Sequence, residues 1–319
     1  MVTPLDENLR GIESAPPAKT SSEDRIRSVF VSPQGIRAGW RWLIFMAIFF
    51  LCATVLFGIA LGAHLFRVPS PGQGITVKLA IVQEVITVIA MFVAAFIMSK
   101  IEKRPMGVYG LPAQQAFRRY FWQGIVWGFV AVTVLVALIW ALHGFDFGNV
   151  TLSERSLVSY GLLWGLAFLM TGFFEEFTFR GYSQFTLATG MGFWPAAIVL
   201  SLLFGAIHLG NGGEGLAGAL SAALIGFFWC FTLRRTGTIW FAVGLHAAWD
   251  YGETFVYGVP DSGLVAPGHL LNSSFHGPRW LTGGTVGPEA SLACFVVIGL
   301  LFLIFHLFYP ARASQETTE

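Results

Sequence analysis

The sequence predicts an all-α, polytopic membrane protein of about eight transmembrane helices with both termini cytoplasmic. Three observations lead there. Of the 319 residues, 55% are hydrophobic and only 12% charged, against roughly a quarter charged in an ordinary soluble domain; the mean hydropathy is +0.67. The apolar residues fall in runs of roughly 20, the length that crosses a hydrocarbon layer at about 1.5 Å per residue. Lys and Arg gather in alternate connections between those runs.

Residues 1–37 mix Pro, Ser, Asp, Glu, Arg and Lys without helical periodicity and are expected to form a flexible polar tail. No apolar stretch of the signal-peptide kind lies near the start, so the first run is expected to be a retained anchor. The transmembrane domain is expected over 38–310, with spans near 42–65, 77–99, 121–143, 157–187, 193–209, 215–233, 239–257 and 290–309. The fifth is short and the fourth long, and both carry polar residues. Residues 259–287, rich in Gly, Pro and Ser, read as a loop, and 311–319 as a second polar tail.

Orientation follows from the basic residues. With the N-terminus inside, the inner side receives Arg25, Arg27, Arg37 and Arg41, then Lys100, Lys103, Arg104, Arg118 and Arg119, then Arg234 and Arg235, and finally Arg312. The outer connections hold Arg67, Arg155 and Arg279, with Lys78 at a helix edge. Removing or adding one span between Arg119 and Arg234 would put a basic pair outside. The asymmetry, with an apolar first anchor, suggests a multi-pass protein of a bacterial plasma membrane. Sequons at Asn149 and Asn272 fall on the outer side and matter only in a secretory pathway. The net charge of +1 gives no sign of a nucleic-acid partner. Cys52, Cys230 and Cys294 sit in separate apolar segments without metal-type spacing and read as small buried hydrophobes.

An ionisable residue inside a span is costly and marks function by default. The fourth segment carries Phe173-Phe174-Glu175-Glu176-Phe177-Thr178-Phe179-Arg180. Adjacent helical residues diverge by about 100°, so the two carboxylates address different points. Arg180 is four residues after Glu176, the spacing that brings the two onto one face. Glu175 is left facing the bundle, suited to take a proton from water. The fifth segment supplies Phe204-Gly-Ala-Ile-His208. Glu175 lies about 15 residues before the turn at 190–192 and His208 about 17 after it, which puts both roughly 20 to 25 Å from that turn on antiparallel neighbours. In the seventh segment His246 and Asp250 are four apart and share a face, near the same level. Glu84 and His306 also lie within spans but belong to no spaced pair, and are read as packing or lumen-facing groups. Trp40, Trp42, Trp122 and Trp240 fit an interfacial aromatic belt.

Glu175-Glu176-x-x-x-Arg180, Phe204-x-x-x-His208 and His246-x-x-x-Asp250 together resemble the three-motif signature of the CPBP (ABI) family, which comprises type II CAAX prenyl endopeptidases and bacterial bacteriocin-processing relatives. The resemblance covers about 162–252, within a protease core of about 160–255. It implies that Glu175 and His208 activate water for attack on a peptide bond, and that Glu176 and Arg180 support them. It also implies that His246 and Asp250 stabilise the oxyanion or fix the site. The last motif residue is commonly Asn in that family. The Asp here must be protonated, orient His246 or ligate a metal, because an ionised Asp cannot donate to an oxyanion.

The expected activity is intramembrane endopeptidase cleavage by a glutamate/histidine-activated water. The substrate would be a membrane-associated peptide or lipidated protein, of CAAX-prenyl or leader-peptide type, reached through a cavity from the inner face. No obligate cofactor is expected; Zn2+ is the ion that Glu175, His208, His246 and Asp250 could hold. The alternatives are a proton-coupled transporter, since buried acids and His also build proton relays, and a non-catalytic immunity or scaffold protein of the same fold. The transporter reading lacks the related halves that transporters often show.

Overall fold

The computed structural model describes residues 27–33, 35–67, 74–211, 213 and 215–310. The expected tails lie outside these residues, apart from the stretch just before the first helix. There β1 (Val31–Ser32) pairs antiparallel with β2 (Gly35–Ile36). Arg37 Nε donates to the Ser28 carbonyl at 2.7 Å and Trp40 Nε1 to that of Val29 at 3.0 Å, which fastens this hairpin to the helix that follows.

All eight apolar segments form helices: α1 (Ala38–Gly62), α2 (Val77–Glu102), α3 (Arg119–Ala141), α4 (Glu154–Met191), α5 (Phe193–His208), α6 (Leu216–Thr236), α7 (Trp240–Asp250) and α8 (Leu292–Phe308). Five of them, α1, α2, α3, α4 and α6, are long and apolar enough to cross a membrane. The starts of α2, α4 and α8 are capped by Thr76, Ser153 and Ser291, whose hydroxyls accept from the backbone N–H three residues on. Each cap satisfies a donor that the first helical turn leaves open. Large apolar side chains such as Leu51, Leu162 and Phe308 stand exposed on the outer faces of α1, α4 and α8, as a lipid-facing surface requires.

Helix α7 sits at the centre, and every residue from Trp240 to Asp250 is buried. Its Phe241 and Leu245 join one core cluster with Leu135 and Ile139 of α3, Phe228 of α6 and Phe305 of α8. Its Val243 joins another with Phe45 of α1, Met91 of α2 and Phe177 of α4. Small residues let α3 and α7 touch backbone to backbone: a Cβ on Gly124, Gly128 or Gly244 would collide with the carbonyl oxygen of Phe241, Leu245 or Phe121 respectively.

The long connection after α7 is more structured than a plain loop. Within it β4 (Ser274–Phe275) pairs antiparallel with β3 (Phe145–Asp146) from the α3–α4 connection, and a one-turn helix spans Arg279–Thr282. The Asn272 N–H also donates to the Asn149 carbonyl at 3.0 Å, so the two connections form one surface over this end of the bundle.

Candidate active site

Two of the helices that carry the motifs widen to π geometry beside them. In α4 the widened stretch is Phe177–Ser183, with Gly181 at φ −83° and ψ −108°; after α7 it is Tyr251–Tyr257. Such insertions re-aim side chains by a fraction of a turn and recur at functional sites. Arg180 lies in the first of them and still returns to Glu176, its Nη1 donating to Oε1 at 3.1 Å. Both side chains are cut off from solvent, at 1% and 0% exposure. The guanidinium occupies the space that Gly226 of α6 leaves open. A Cβ there would collide with Nη2, and Arg180 Nε donates to the Gly226 carbonyl at 3.3 Å. The rings of Phe204 and Trp229 flank it at 4.3 and 4.9 Å. This adds cation–π attraction in a desolvated setting.

His246 is the hub. Its ring stacks on Trp229 with centroids 4.4 Å apart. Nδ1 donates to Glu176 Oε1 at 3.0 Å, the oxygen that also accepts from Arg180. Nε2 is thereby turned toward Glu175 Oε2 at 3.8 Å and Asp250 Oδ2 at 3.5 Å. Glu176 is therefore not committed to Arg180 alone, as i,i+4 spacing suggests; one carboxylate oxygen orients both the arginine and the imidazole. The unengaged Glu175 retains 25% side-chain exposure.

His208 ends α5, its ring against that of Phe204 at 4.6 Å. Its Nδ1 is 2.8 Å from the Phe204 carbonyl oxygen. A carbonyl only accepts, so Nδ1 carries a proton and Nε2 is the ring nitrogen left for other partners. A cavity of about 260 Å³ is lined by Glu175, His208, His246 and Asp250, together with Phe204 and Trp229. All four candidate reactive residues thus share one cavity, while Glu176 and Arg180 stand behind its wall.

Sequence reasoning set two other residues aside. Glu84 of α2 lines the same cavity, with Thr87 donating to its Oε2 at 3.3 Å. It is an isolated acid in its span, and no local spacing ties it to α4. Trp229 carries no polar pattern to single it out from the aromatic run of α6. His306, by contrast, lies outside the cavity and pairs with Arg235, Nη2 to Nδ1 at 3.0 Å.

The cavity reaches toward the end of the bundle formed by the α1–α2, α5–α6 and α7–α8 connections, since Ile75, Asn211 and Leu264 belong to its lining. The basic connections around Lys103, Arg118 and Arg234 lie at the opposite helix ends. An inner, basic-side entrance is expected from sequence; the lining extends toward the other end of the bundle. The depth of Glu175 and His208 along their helices fixed their level and not the direction in which the space opens.

Glu175, His208, His246 and Asp250 suit zinc by donor type. A tetrahedral zinc gathers its ligand atoms roughly 3.3 Å apart. His246 Nε2 is 3.5 and 3.8 Å from its two carboxylate neighbours. Among the described residues, the acid, His or Cys ligand atoms that draw within 4.8 Å of one another as a group of three are those of Glu253, Asp261 and Glu289.

A bundle of apolar helices around a cavity with acids and imidazoles on its wall is an integral membrane protein with an acid/imidazole site. Residues 157–252 match the family described as type II CAAX prenyl endopeptidase Rce1-like, so this stretch is similar to that family. The match spans under a third of the chain, from α4 to the end of α7, and includes every motif residue named above. Comparison with curated proteins gives no match.

Proposed function

We propose that the protein is an intramembrane endopeptidase in which Glu175 and His208 activate a water for attack on the peptide bond of a membrane-associated substrate. The observation that supports this most is the division of labour in α4. Glu176 is consumed by Arg180 and His246, whereas Glu175, 3.8 Å from His246 Nε2, lines the cavity with His208. In this reading Glu175 takes a proton as the water oxygen bonds to the carbonyl carbon, and His208 Nε2 holds the water. His246, protonated at Nε2, donates to the oxyanion, and Asp250 steadies that ring. Collapse breaks the C–N bond, and Glu175 returns the proton to the leaving amine. Each role is carried by the side chains themselves, without a metal.

The proposal includes eight spans with both termini cytoplasmic, on the alternation of basic connections. The cavity then faces away from the cytoplasm, which favours an exported leader-type peptide over a prenylated cytoplasmic tail. Full-length protein reconstituted in liposomes, offered a farnesylated CAAX peptide and a leader-type peptide, separates the two. Glu175→Gln and His208→Ala should each lower cleavage at least about 100-fold with the helical circular dichroism unchanged. Full activity in either variant overturns the mechanism.

A further inference from the structure

A second group of acids stands on the roof of the cavity. Glu253 lies in the π-helical turn after α7, Asp261 in the connection that follows, and Glu289 in the helical turn Pro288–Ala290 that leads into α8. One carboxylate oxygen of each comes within 4.8 Å of one from both others. Glu253 is fully buried, and neither of its oxygens has a hydrogen-bond partner. Trp249, one turn earlier, is the donor-bearing side chain beside it. The other two are held in place: Thr254 Oγ1 donates to Asp261 Oδ2 at 3.2 Å, and the Ser262 N–H and hydroxyl donate to Glu289 Oε2 at 2.9 and 2.7 Å. None of the three enters an ion pair among the described residues.

Three carboxylates this close, one of them wholly desolvated, repel one another and must share protons or take up a cation. An all-oxygen set is the preference of hard divalent ions. Three carboxylate oxygens within 4.8 Å of one another can reach one ion together; calcium accepts about 6–8 oxygens in flexible geometry, whereas magnesium wants a stricter octahedron and zinc prefers nitrogen and sulfur. We propose that Glu253, Asp261 and Glu289 bind a calcium ion that ties the end of α7 to the connection above it and to the start of α8. Because Asp250 lies three residues before Glu253, the ion would also steady the end of the helix that carries Asp250 and His246. Burial, with the Asp250 and Glu289 carboxylates, pushes the Asp261 carboxyl well above its ordinary range, so protons should compete with the ion.

The test uses full-length protein in lipid nanodiscs after chelation, titrated with calcium chloride in a calorimeter and followed by thermal unfolding. It needs no substrate, so its outcome is separate from that of the protease proposal. One calcium per chain is expected, with a raised unfolding temperature and weaker binding of magnesium. Asp261→Asn and Glu289→Gln should each weaken calcium binding at least about tenfold. The proposal is overturned if folded wild-type protein gives neither heat nor a thermal shift at millimolar calcium. Unchanged affinity in both variants overturns it too, as does stabilisation by acid alone with no response to calcium. Should the variants fail to fold, the wild-type pH series decides: calcium affinity must fall as pH is lowered, and pH-independent binding counts against the site.

Discussion

His246 donates through Nδ1 to Glu176 Oε1 at 3.0 Å, and this contact across α4 and α7 sets which edge of the imidazole meets the cavity. The same oxygen accepts from Arg180, so a charged group with no access to solvent determines the aim of one that borders water. The arrangement separates support from chemistry within two consecutive glutamates.

Removing one partner of that hidden pair should be costly in stability. Arg180→Ala leaves the buried Glu176 with His246 as its remaining partner, and is expected to destabilise the protein by about 3–5 kcal/mol. The double replacement Glu176→Leu with Arg180→Leu should cost less than the sum of the single changes, because no lone charge remains. Unfolding of the purified variants in mixed detergent micelles measures this; additive losses would show that the two side chains act independently.

The Oδ2 atom of Asp250 lies 3.5 Å from His246 Nε2. If its role is to steady the ring by accepting, an amide oxygen serves as well. Asp250→Asn should therefore retain peptide cleavage within about tenfold, while Asp250→Leu should lose it with the fold intact. Equal loss in both variants would mean that the negative charge itself is required.

The raised Asp261 carboxyl gives the calcium-free protein a pH dependence of definite sign. Burial is the main cause, followed by Asp250 and Glu289, and the Thr254 hydrogen bond opposes it. The folded state holds the proton more tightly than the unfolded chain, whose value is near 3.8. Between that value and the raised one, folding takes up a proton, so stability falls as pH rises. The contribution favouring the fold is fully present below the ordinary value and is lost as pH climbs through the raised one. In chelator, wild-type protein should melt at a higher temperature in mild acid than Asp261→Asn shows for the same change. Parallel pH profiles for the two proteins would remove Asp261 as the source.

Much of this was legible in the amino-acid order, because it depends on short separations. Apolar runs marked the eight helices, and four-residue spacings marked the Glu176–Arg180 and His246–Asp250 pairs. The depth argument placed Glu175 and His208 on one cavity, since helix rise is fixed by backbone geometry. What escaped depends on how distant segments meet. Neither the docking of His246 on Glu176 nor the approach of Glu84 leaves a periodic trace. The roof acids come from three separate stretches, and Asp261 lies in a segment whose Gly, Pro and Ser content says only that it turns. The direction in which the cavity lining extends escaped for the same reason, because helix length gives a level and the closing connections decide which end is open.

The glycine seam between α3 and α7 has a bearing on how the surrounding lipid can influence the site. Since α7 presents no face to the bilayer, a thicker or thinner membrane reaches His246 and Asp250 only through neighbouring helices, and one of these is fastened to α7 at carbonyl contact. Hydrophobic mismatch is absorbed by tilt in helices that do face lipid. Here α3 itself faces lipid through Trp122, Val126 and Val130, so a tilt of α3 would carry α7 with it.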